Sequence, residues 1–452
     1  MDPVKTAFVK IWGHVVGAVA WLDDQNHAVF EFEPQFLRQG LDLSPVHMGL
    51  DRALRGETKY AFPNLDWYTF NGLPGLLSCS LPDRWGNKII NAWLTRMGRE
   101  PSSFNPVERL CYVGTRGMGA LEFVPQVNPR SLNRPVPVEI ESLMELAQEV
   151  ISERSRIDTN ISGSDKDKAD AIKDILRVGT SAGGAIPKAI IAVNDKGHVI
   201  SGQSSKIPEG YSHWILKFDG ISEESENLYG MPLGEGRVEF AYYNMARAAG
   251  INMEACRLLE ENGRAHFMAK RFDRGENGSK VHMQTLGGVA HFGWNPAGMY
   301  GYEHTFQIMR KMGLGKDDQQ QQYRRMVFNA LTRNTDDHVK NFAFLMDDQG
   351  KWRLSPAYDM TFSYNPDEIL GSRHKLSING KQQDFTVGDF LTVADTVEIQ
   401  RPENIVEEVM AAVEKWPEFA RDAGVSPEVT RLIGEMHLLE SAHDQSQGPA
   451  MM

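Results

Sequence analysis

The sequence predicts an α+β protein, in which a small β-rich N-terminal domain precedes further strands and a helical C-terminal part. Residues Ala7 to Phe32 alternate apolar and polar side chains in two runs, which is typical of β-strands. Short apolar runs at Ala189–Val193 and Trp214–Asp219 predict further strands in the middle of the chain. Helical periodicity recurs at Asn404–Trp416 and Pro427–Leu439, which favours a helical C-terminal part.

Composition is that of an ordinary globular protein. The chain has 452 residues, 41% hydrophobic and 24% charged, which predicts two or three domains with ample core. Its net charge of -12 argues against direct, sequence-independent binding to DNA, because that binding needs a basic surface. The apolar run Val15–Leu22 is too short to span a membrane and lacks a signal-peptide cleavage site, so we expect a cytoplasmic location.

The number and spacing of the cysteines are consistent with the expected cytoplasmic location. Cys79, Cys111 and Cys256 are widely spaced, and no pair has the spacing of a metal or redox site. Three cysteines cannot form a complete set of disulfides. We expect free thiols in a reducing compartment.

Several N-terminal elements can be predicted in order. Asp23–Asn26 separates the two alternating runs and predicts a hairpin turn. Asp83–Met97 has helical periodicity. The glycine-rich segment Gly114–Ala120 is interpreted as a tight turn rather than a phosphate-binding loop. Asn128–Pro137 holds three prolines and two arginines, and is predicted to be the linker that ends an N-terminal domain of residues 1–130.

A second glycine-rich segment, Val178–Lys188, is the better candidate for covering phosphates. Gly183, Gly184 and Ala185 would let backbone N–H groups approach phosphate oxygens, and Lys188 adds positive charge at the end of the segment. The spacing is not that of a Walker A loop. A flexible surface turn is an equally open interpretation.

The predicted strand Trp214–Asp219 carries Lys217 among apolar neighbours. A lysine in such a place is unfavourable unless it is paired or used. In kinases a lysine on a strand binds the ATP phosphates and forms an ion pair with a glutamate on a helix. Glu239, predicted to open a helix over Phe240–Ala249, is the natural partner. A lysine at an exposed sheet edge is the alternative.

Asn334–Asn341 carries the strongest chemical signal. Asp336 is followed five residues later by Asn341, then by a predicted hairpin of Phe342–Met346 and Trp352–Leu354, and then by Asp359. This is the layout of a phosphoryl-transfer site, where the first Asp is the base and the Asn and second Asp bind magnesium. A polar loop closed by an Asx-turn is the alternative.

These motifs resemble the HipA family, the serine/threonine kinase toxins of bacterial toxin–antitoxin modules. Thr335–Phe342 is similar to the family's T-D-x-H-x-K-N-F, and Pro356–Met360 follows it as in the family. Weaker similarity covers Ser181–Lys188, Ile215–Lys217 and Arg271–Arg274, in the family's order. The resemblance implies a two-lobed protein-kinase-like fold, with residues 131–275 as the N-lobe-like region, 276–445 as the helical C-lobe and 446–452 as a tail.

The resemblance also implies residue roles. Asp336 matches the catalytic base, Asn341 and Asp359 the magnesium ligands, and Lys217 the lysine on the ATP phosphates. Further matches are Lys270 and Phe272 at the adenine, Ser181 as the autophosphorylated loop serine, and His338 and Lys340 beside the base. Lys340 either neutralises the transferring phosphate or braces the loop. Asp337 fills a variable position of the motif and is assigned no role.

The implied cofactors are ATP and Mg²⁺. The implied partners are a HipB-like DNA-binding antitoxin, DNA only through that antitoxin, and a protein substrate such as an aminoacyl-tRNA synthetase. Two rival functions stay open. One is a small-molecule phosphotransferase built on the same Asp and Asn pattern. The other is an antitoxin-binding corepressor without kinase activity.

Overall fold

The computed structural model describes residues 3–125, 127, 135–152, 187–204, 206–221, 234–275, 278–294, 298–366 and 371–439 of the chain. The predicted α+β class, with a β-rich N-terminal region and a largely helical C-terminal part, is confirmed. No helix within these ranges has the length and apolar character needed to cross a membrane. Ser181, Gly183, Gly184, Ala185 and the tail lie outside the described residues, as does most of the predicted linker.

The N-terminal region is built on a five-stranded antiparallel sheet in the order β4-β3-β2-β1-β5. Its strands are β1 (Thr6–Ile11), β2 (His14–Leu22), β3 (His27–Phe32), β4 (Lys59–Ala61) and β5 (Leu121–Val124). The predicted turn at Asp23–Asn26 joins β2 to β3. The first alternating run forms two strands instead of one, because Trp12 and Gly13 make a tight turn with φ of 47° and 85°.

Short helices complete this region: α1 (Pro34–Leu37), α2 (Leu50–Leu54), α3 (Trp67–Phe70), α4 (Gly75–Ser78), α5 (Arg84–Arg96) and α6 (Pro106–Val113). The predicted helix at Asp83–Met97 is α5, and Asp83 is its N-cap, with Oδ1 accepting from the Gly86 N–H at 2.8 Å. The glycine-rich turn after α6 is structural, since the Gly119 N–H donates to the buried Asp273 carboxylate at 2.7 Å.

The central region holds a second antiparallel five-stranded sheet in the order β7-β6-β8-β10-β9. It comprises β6 (Lys188–Asn194), β7 (Val199–Ser201), β8 (Tyr211–Lys217), β9 (Cys256–Glu261) and β10 (Arg264–Lys270), with helices α7 (Ile140–Ser152) and α8 (Glu235–Ala248). The prediction that Glu239 opens its helix is wrong. Helix α8 begins four residues earlier, after Gly234 with φ of 113°, and Glu239 therefore lies in the second turn, 7% exposed.

The C-terminal part combines a small sheet in the order β11-β12-β13 with helices. The strands are β11 (His282–Thr285), β12 (Ala343–Met346) and β13 (Trp352–Leu354). The helices are α9 (Leu286–Ala290), α10 (Tyr302–Lys311), α11 (Lys316–Leu331), α12 (Val387–Thr396), α13 (Pro402–Val413), α14 (Trp416–Asp422) and α15 (Pro427–Met436). The predicted hairpin is β12 and β13, and the two periodic C-terminal segments form α13 and α15.

The N-terminal region packs closely on the C-terminal part. Helices α4 and α9 meet at Gly75 and Gly288, where a Cβ on Gly75 would overlap the Gly288 carbonyl. The Gly75 N–H donates to His291 Nε2 at 3.1 Å, and the His291 ring stacks on His47 with 4.1 Å between centroids. The predicted domain limits at residues 130 and 275 stay predictions, since hydrophobic clusters run across both.

Candidate active site

A cavity of about 1670 Å³ lies where the three regions meet. All ten of the predicted site residues that the structure describes line it: Lys188, Lys217, Glu239, Lys270, Phe272, Asp336, His338, Lys340, Asn341 and Asp359. They come from segments as far apart as β6 and the loop after β13. The N-terminal region supplies a further wall, from Tyr68 to Asn71 and from Ser78 to Arg84. None of the residues predicted from the sequence to belong to the site comes from that wall.

Lys217 is the centre of an ion-pair network. It ends β8, and its Nζ lies 2.6 Å from Glu239 Oε1 and 2.6 Å from Asp359 Oδ1. Burial disfavours the charged ammonium, but the two carboxylates outweigh burial and raise the pKa of Lys217 above its usual value. The interpretation as a paired lysine is therefore favoured over an exposed edge lysine.

Asp359 follows β13 and has a left-handed backbone with φ of 51°. Burial alone would raise the pKa of its carboxyl, but Lys217 and Lys188 lower that pKa to about 2. The group is therefore a carboxylate at neutral pH. A non-glycine residue in this conformation indicates that the surrounding structure fixes the position of the side chain.

The loop after α11 holds Asp336 at the open side of the cavity, with 56% of its side chain exposed. The Asn341 Nδ2 donates to the Asp336 carbonyl at 2.8 Å, and the Asp336 N–H donates to Ser363 Oγ at 3.0 Å. Desolvation by the cavity walls raises the pKa of Asp336, while His338 and Lys375 oppose that rise. The carboxylate is thus accessible on a loop whose backbone is braced.

His338 and Lys340 lie on the same loop. The His338 Nε2 is 3.8 Å from Asp336 Oδ2, and its Nδ1 accepts from the Lys340 N–H at 3.2 Å. The Tyr358 hydroxyl donates to the Lys340 carbonyl at 2.7 Å. The backbone of Lys340 therefore braces the loop, and its side chain lines the cavity. Both interpretations of Lys340 are compatible with this arrangement.

Lys188 begins β6 and lies opposite Lys217 in the antiparallel register of β6 and β8. It is 3% exposed, and burial lowers the pKa of its ammonium. Asp359 and Asp83 are the first two charges that oppose this effect. Two lysines thus meet on one side of the cavity, with carboxylates around them.

Lys270 and Phe272 lie at the exit of β10, where the chain passes toward the C-terminal part. The Lys270 N–H donates to the Ala255 carbonyl at 2.9 Å. The Phe272 ring packs on Tyr358, with 5.7 Å between centroids. Both line the cavity, and their contact with adenine stays a prediction.

Asp337 is the main feature that the sequence did not reveal. It is 1% exposed, and its carboxylate accepts from the Tyr302 hydroxyl at 2.9 Å and from the Lys375 N–H at 2.8 Å. His374 Nδ1 lies 2.9 Å from the same group. Asp337 therefore links the segment of His374 and Lys375 to the loop of Asp336 through hydrogen bonds. Its neighbours in the motif give no sign of this, because its partners are distant in sequence.

The oxygen donors present fit a magnesium ion. The Asn341 amide uses its N–H₂ on the Asp336 carbonyl, which leaves its oxygen for a ligand, and Asp359 offers a carboxylate in the same cavity. Within the described ranges no cluster of three or more His, Cys, Asp and Glu forms a complete metal site. A hard cation completed by phosphate oxygens and water matches this incomplete donor set.

Comparisons with known proteins agree with the motif order. The family model for the HipA-like C-terminal domain matches residues 180–416, and the model for the HipA N-terminal domain matches residues 7–124. Among solved structures, the complex of the Shewanella oneidensis MR-1 toxin–antitoxin proteins HipA and HipB with operator DNA contains a chain of similar fold. That likeness has a TM-score of 0.64 at 15% identity, and covers 98% of this chain and 100% of that one.

Two curated relatives from Sinorhizobium fredii, the candidate kinases Y4dM and Y4mE, are similar over shorter stretches. Identity to Y4dM is 31% over 161 residues, 32% of this chain and 36% of the relative. Identity to Y4mE is 24% over 174 residues, 36% of this chain and 41% of the relative. The chain thus matches less than half the length of each.

Proposed function

The chain belongs to the HipA family, and on that premise we propose that it is a serine/threonine kinase that transfers the γ-phosphoryl group of MgATP to a protein. The observation that carries the proposal is the network around Lys217. A strand lysine lies between a helix glutamate and the aspartate that follows a hairpin, in the same cavity as Asp336 and Asn341. This is the set of groups that phosphoryl transfer requires.

In this proposal Asp336 accepts the proton of the attacking hydroxyl group, because its carboxylate is accessible and its loop is braced. Lys217 and Lys188 hold the phosphate oxygens. Asn341 and Asp359 would hold Mg²⁺, which neutralises phosphate charge when bound. Lys270 and Phe272 would border the adenine. Positioning and electrostatic stabilisation would supply most of the rate enhancement.

We further propose that the kinase acts as a toxin held by a HipB-like DNA-binding antitoxin. The fold shared with the toxin in the HipA–HipB–DNA complex supports this partner. The net charge of -12 suits a protein that reaches DNA only through a basic partner. An aminoacyl-tRNA synthetase is the proposed substrate, whose phosphorylation would stop translation and growth. Ser181 is the proposed site of autophosphorylation.

Intact-mass spectrometry before and after incubation with MgATP tests the kinase. We expect a gain of one phosphate in the unmodified protein, and no gain in Asp336→Ala or Ser181→Ala. A phosphate gain that persists in Asp336→Ala would remove Asp336 as the base.

A lysate incubated with labelled ATP distinguishes the rivals. Label on a protein band supports the kinase, whereas label found only on a small molecule would assign a metabolite phosphotransferase. Operator binding with the antitoxin, combined with no ATP turnover in any assay, would assign a corepressor.

A further inference from the structure

The first turn of α5, in the N-terminal region, contacts the strand that carries Lys188. Trp85 is fully buried, and its indole Nε1 donates to the Lys188 carbonyl at 3.0 Å. Two residues before it, Asp83 uses Oδ1 to cap the helix. The other oxygen of Asp83 is buried and has no hydrogen-bond partner among the described residues. The first turn of α5 thus contacts the backbone of Lys188, and its N-cap Asp83 brings a buried carboxylate oxygen to the cavity that Lys188 lines.

Asp83 and Lys188 line the same cavity, and their charges influence each other. Desolvation raises the pKa of Asp83 to about 7, and Lys188 makes the largest opposing charge contribution, ahead of the Gly86 N–H and Lys340. Asp359 disfavours ionisation of Asp83, because like charges repel. Asp359 opposes the effect of burial on Lys188 most strongly, and Asp83 is the next carboxylate and the one that the N-terminal region supplies.

The contact between α5 and the central sheet is rigid. Trp85, Ile89 and Ile90 belong to one buried cluster with Ala189 and Leu216. Residues packed at native density hold their neighbours to small displacements. The turn that holds Asp83 and Trp85 therefore keeps a fixed place relative to β6.

We propose that Asp83 and Trp85 are positioning residues through which the N-terminal region sets the place and the charge of Lys188 at the phosphate side of the nucleotide site. The proposal rests on the proposed kinase function. A buried ammonium beside a second lysine is unfavourable without an opposing charge and a fixed backbone. The N-terminal region supplies the hydrogen bond to the backbone and, beside Asp359, one of the two main opposing charges, so nucleotide binding depends on a part of the chain that carries none of the kinase motifs.

Calorimetric titration of MgATP and of adenosine into the full chain tests this dependence. Trp85→Phe keeps the aromatic ring and removes the hydrogen bond to Lys188. We expect the dissociation constant for MgATP to rise about three- to tenfold, the effect of one lost hydrogen bond, and that for adenosine to stay unchanged. A purely structural defect would weaken both ligands equally, and that result would overturn the proposal.

Trp93→Phe is the matched control. Trp93 lies on the same helix, eight residues or about 12 Å further along, where its ring packs on Tyr112 with 5.1 Å between centroids. We expect its binding of MgATP to equal that of the unmodified protein. Adding Trp85→Phe to Lys188→Met should cause no further loss, because in this proposal Trp85 affects MgATP only through the position of the Lys188 side chain, which Lys188→Met has already removed.

Asp83→Asn keeps the helix cap and removes the charge, so it tests the second part of the proposal even where a tryptophan variant fails to fold. We expect about threefold weaker binding of MgATP and unchanged binding of adenosine. Unchanged or tighter MgATP binding in this variant, with weaker binding in Lys188→Met, would overturn the role of Asp83 and leave the kinase standing. An unmodified protein that binds no MgATP would overturn both.

Discussion

Lys217 and Asp359 form an ion pair with 2.6 Å between Nζ and Oδ1, although 142 positions separate them in the chain. One residue ends a strand of the central sheet, and the other follows a hairpin of the C-terminal part. Their contact links the two parts of the chain at the cavity that both residues line. Glu239 shares the same ammonium, so the loss of Lys217 removes the cation that is bonded to both carboxylates.

Lys217→Met tests this network. We expect phosphate transfer to fall at least about 100-fold, because a preorganised charge at the phosphates is lost. We also expect the free energy of unfolding to fall by about 1.5–3 kcal/mol, since hydrogen bonds between charged groups disappear. Kinase assays and urea denaturation measure the two effects. The exposed Lys351→Met is the control, and wild-type transfer in Lys217→Met would exclude Lys217 from the site.

Asp337→Asn tests the buried anchor of the catalytic loop. The carboxylate accepts from the Tyr302 hydroxyl and from the Lys375 backbone, and an amide cannot reproduce every bond. We expect the free energy of unfolding to fall by about 2–4 kcal/mol, as measured by urea denaturation. Asp348→Asn, on the exposed turn of the hairpin, should change it by less than about 0.5 kcal/mol. Equal effects at the two positions would contradict the anchoring role.

Lys375→Met tests the electrostatics of the proposed base. A base must be deprotonated, so activity falls as pH falls through the pKa of Asp336, which desolvation raises. Lys375 opposes that rise, and removing its charge raises the pKa of Asp336 further. We expect the acid limb of the kcat profile to move to higher pH. Lys415→Met, at an exposed position, should leave the profile unchanged, and a shift to lower pH in Lys375→Met would contradict the assignment.

Gly75→Ala tests the close approach of the N-terminal region to the C-terminal part. An added methyl group would overlap the Gly288 carbonyl and the His291 ring. We expect the free energy of unfolding to fall by about 1–3 kcal/mol, as in other overpacked cores, and calorimetry would show a lower Tm. Gly315→Ala adds a methyl group in open space and serves as the control. Equal Tm values for the two variants would show that the contact between Gly75 and Gly288 accommodates the added methyl group.

The sequence was most informative where the chemistry is local. Asp336 and Asn341 belong to one loop, and five positions of separation bring the Asn341 side chain to the Asp336 carbonyl. The hairpin before Asp359 was equally predictable from its apolar runs and polar turn. The start of α8 was missed, because Gly234 lies beyond the periodic residues from which the helix was inferred.

The sequence by itself indicated which side chains share the cavity and the order in which their motifs occur. The tertiary structure alone decided that Asp337 is a buried anchor, that Trp85 bonds to the Lys188 carbonyl, and that the N-terminal region forms a wall of the cavity. The reason is physical. The spacing between residues that are close in sequence can be read from the sequence itself. Contacts such as the one between Trp85 and Lys188, 103 positions apart, arise only when apolar faces pack and exclude water.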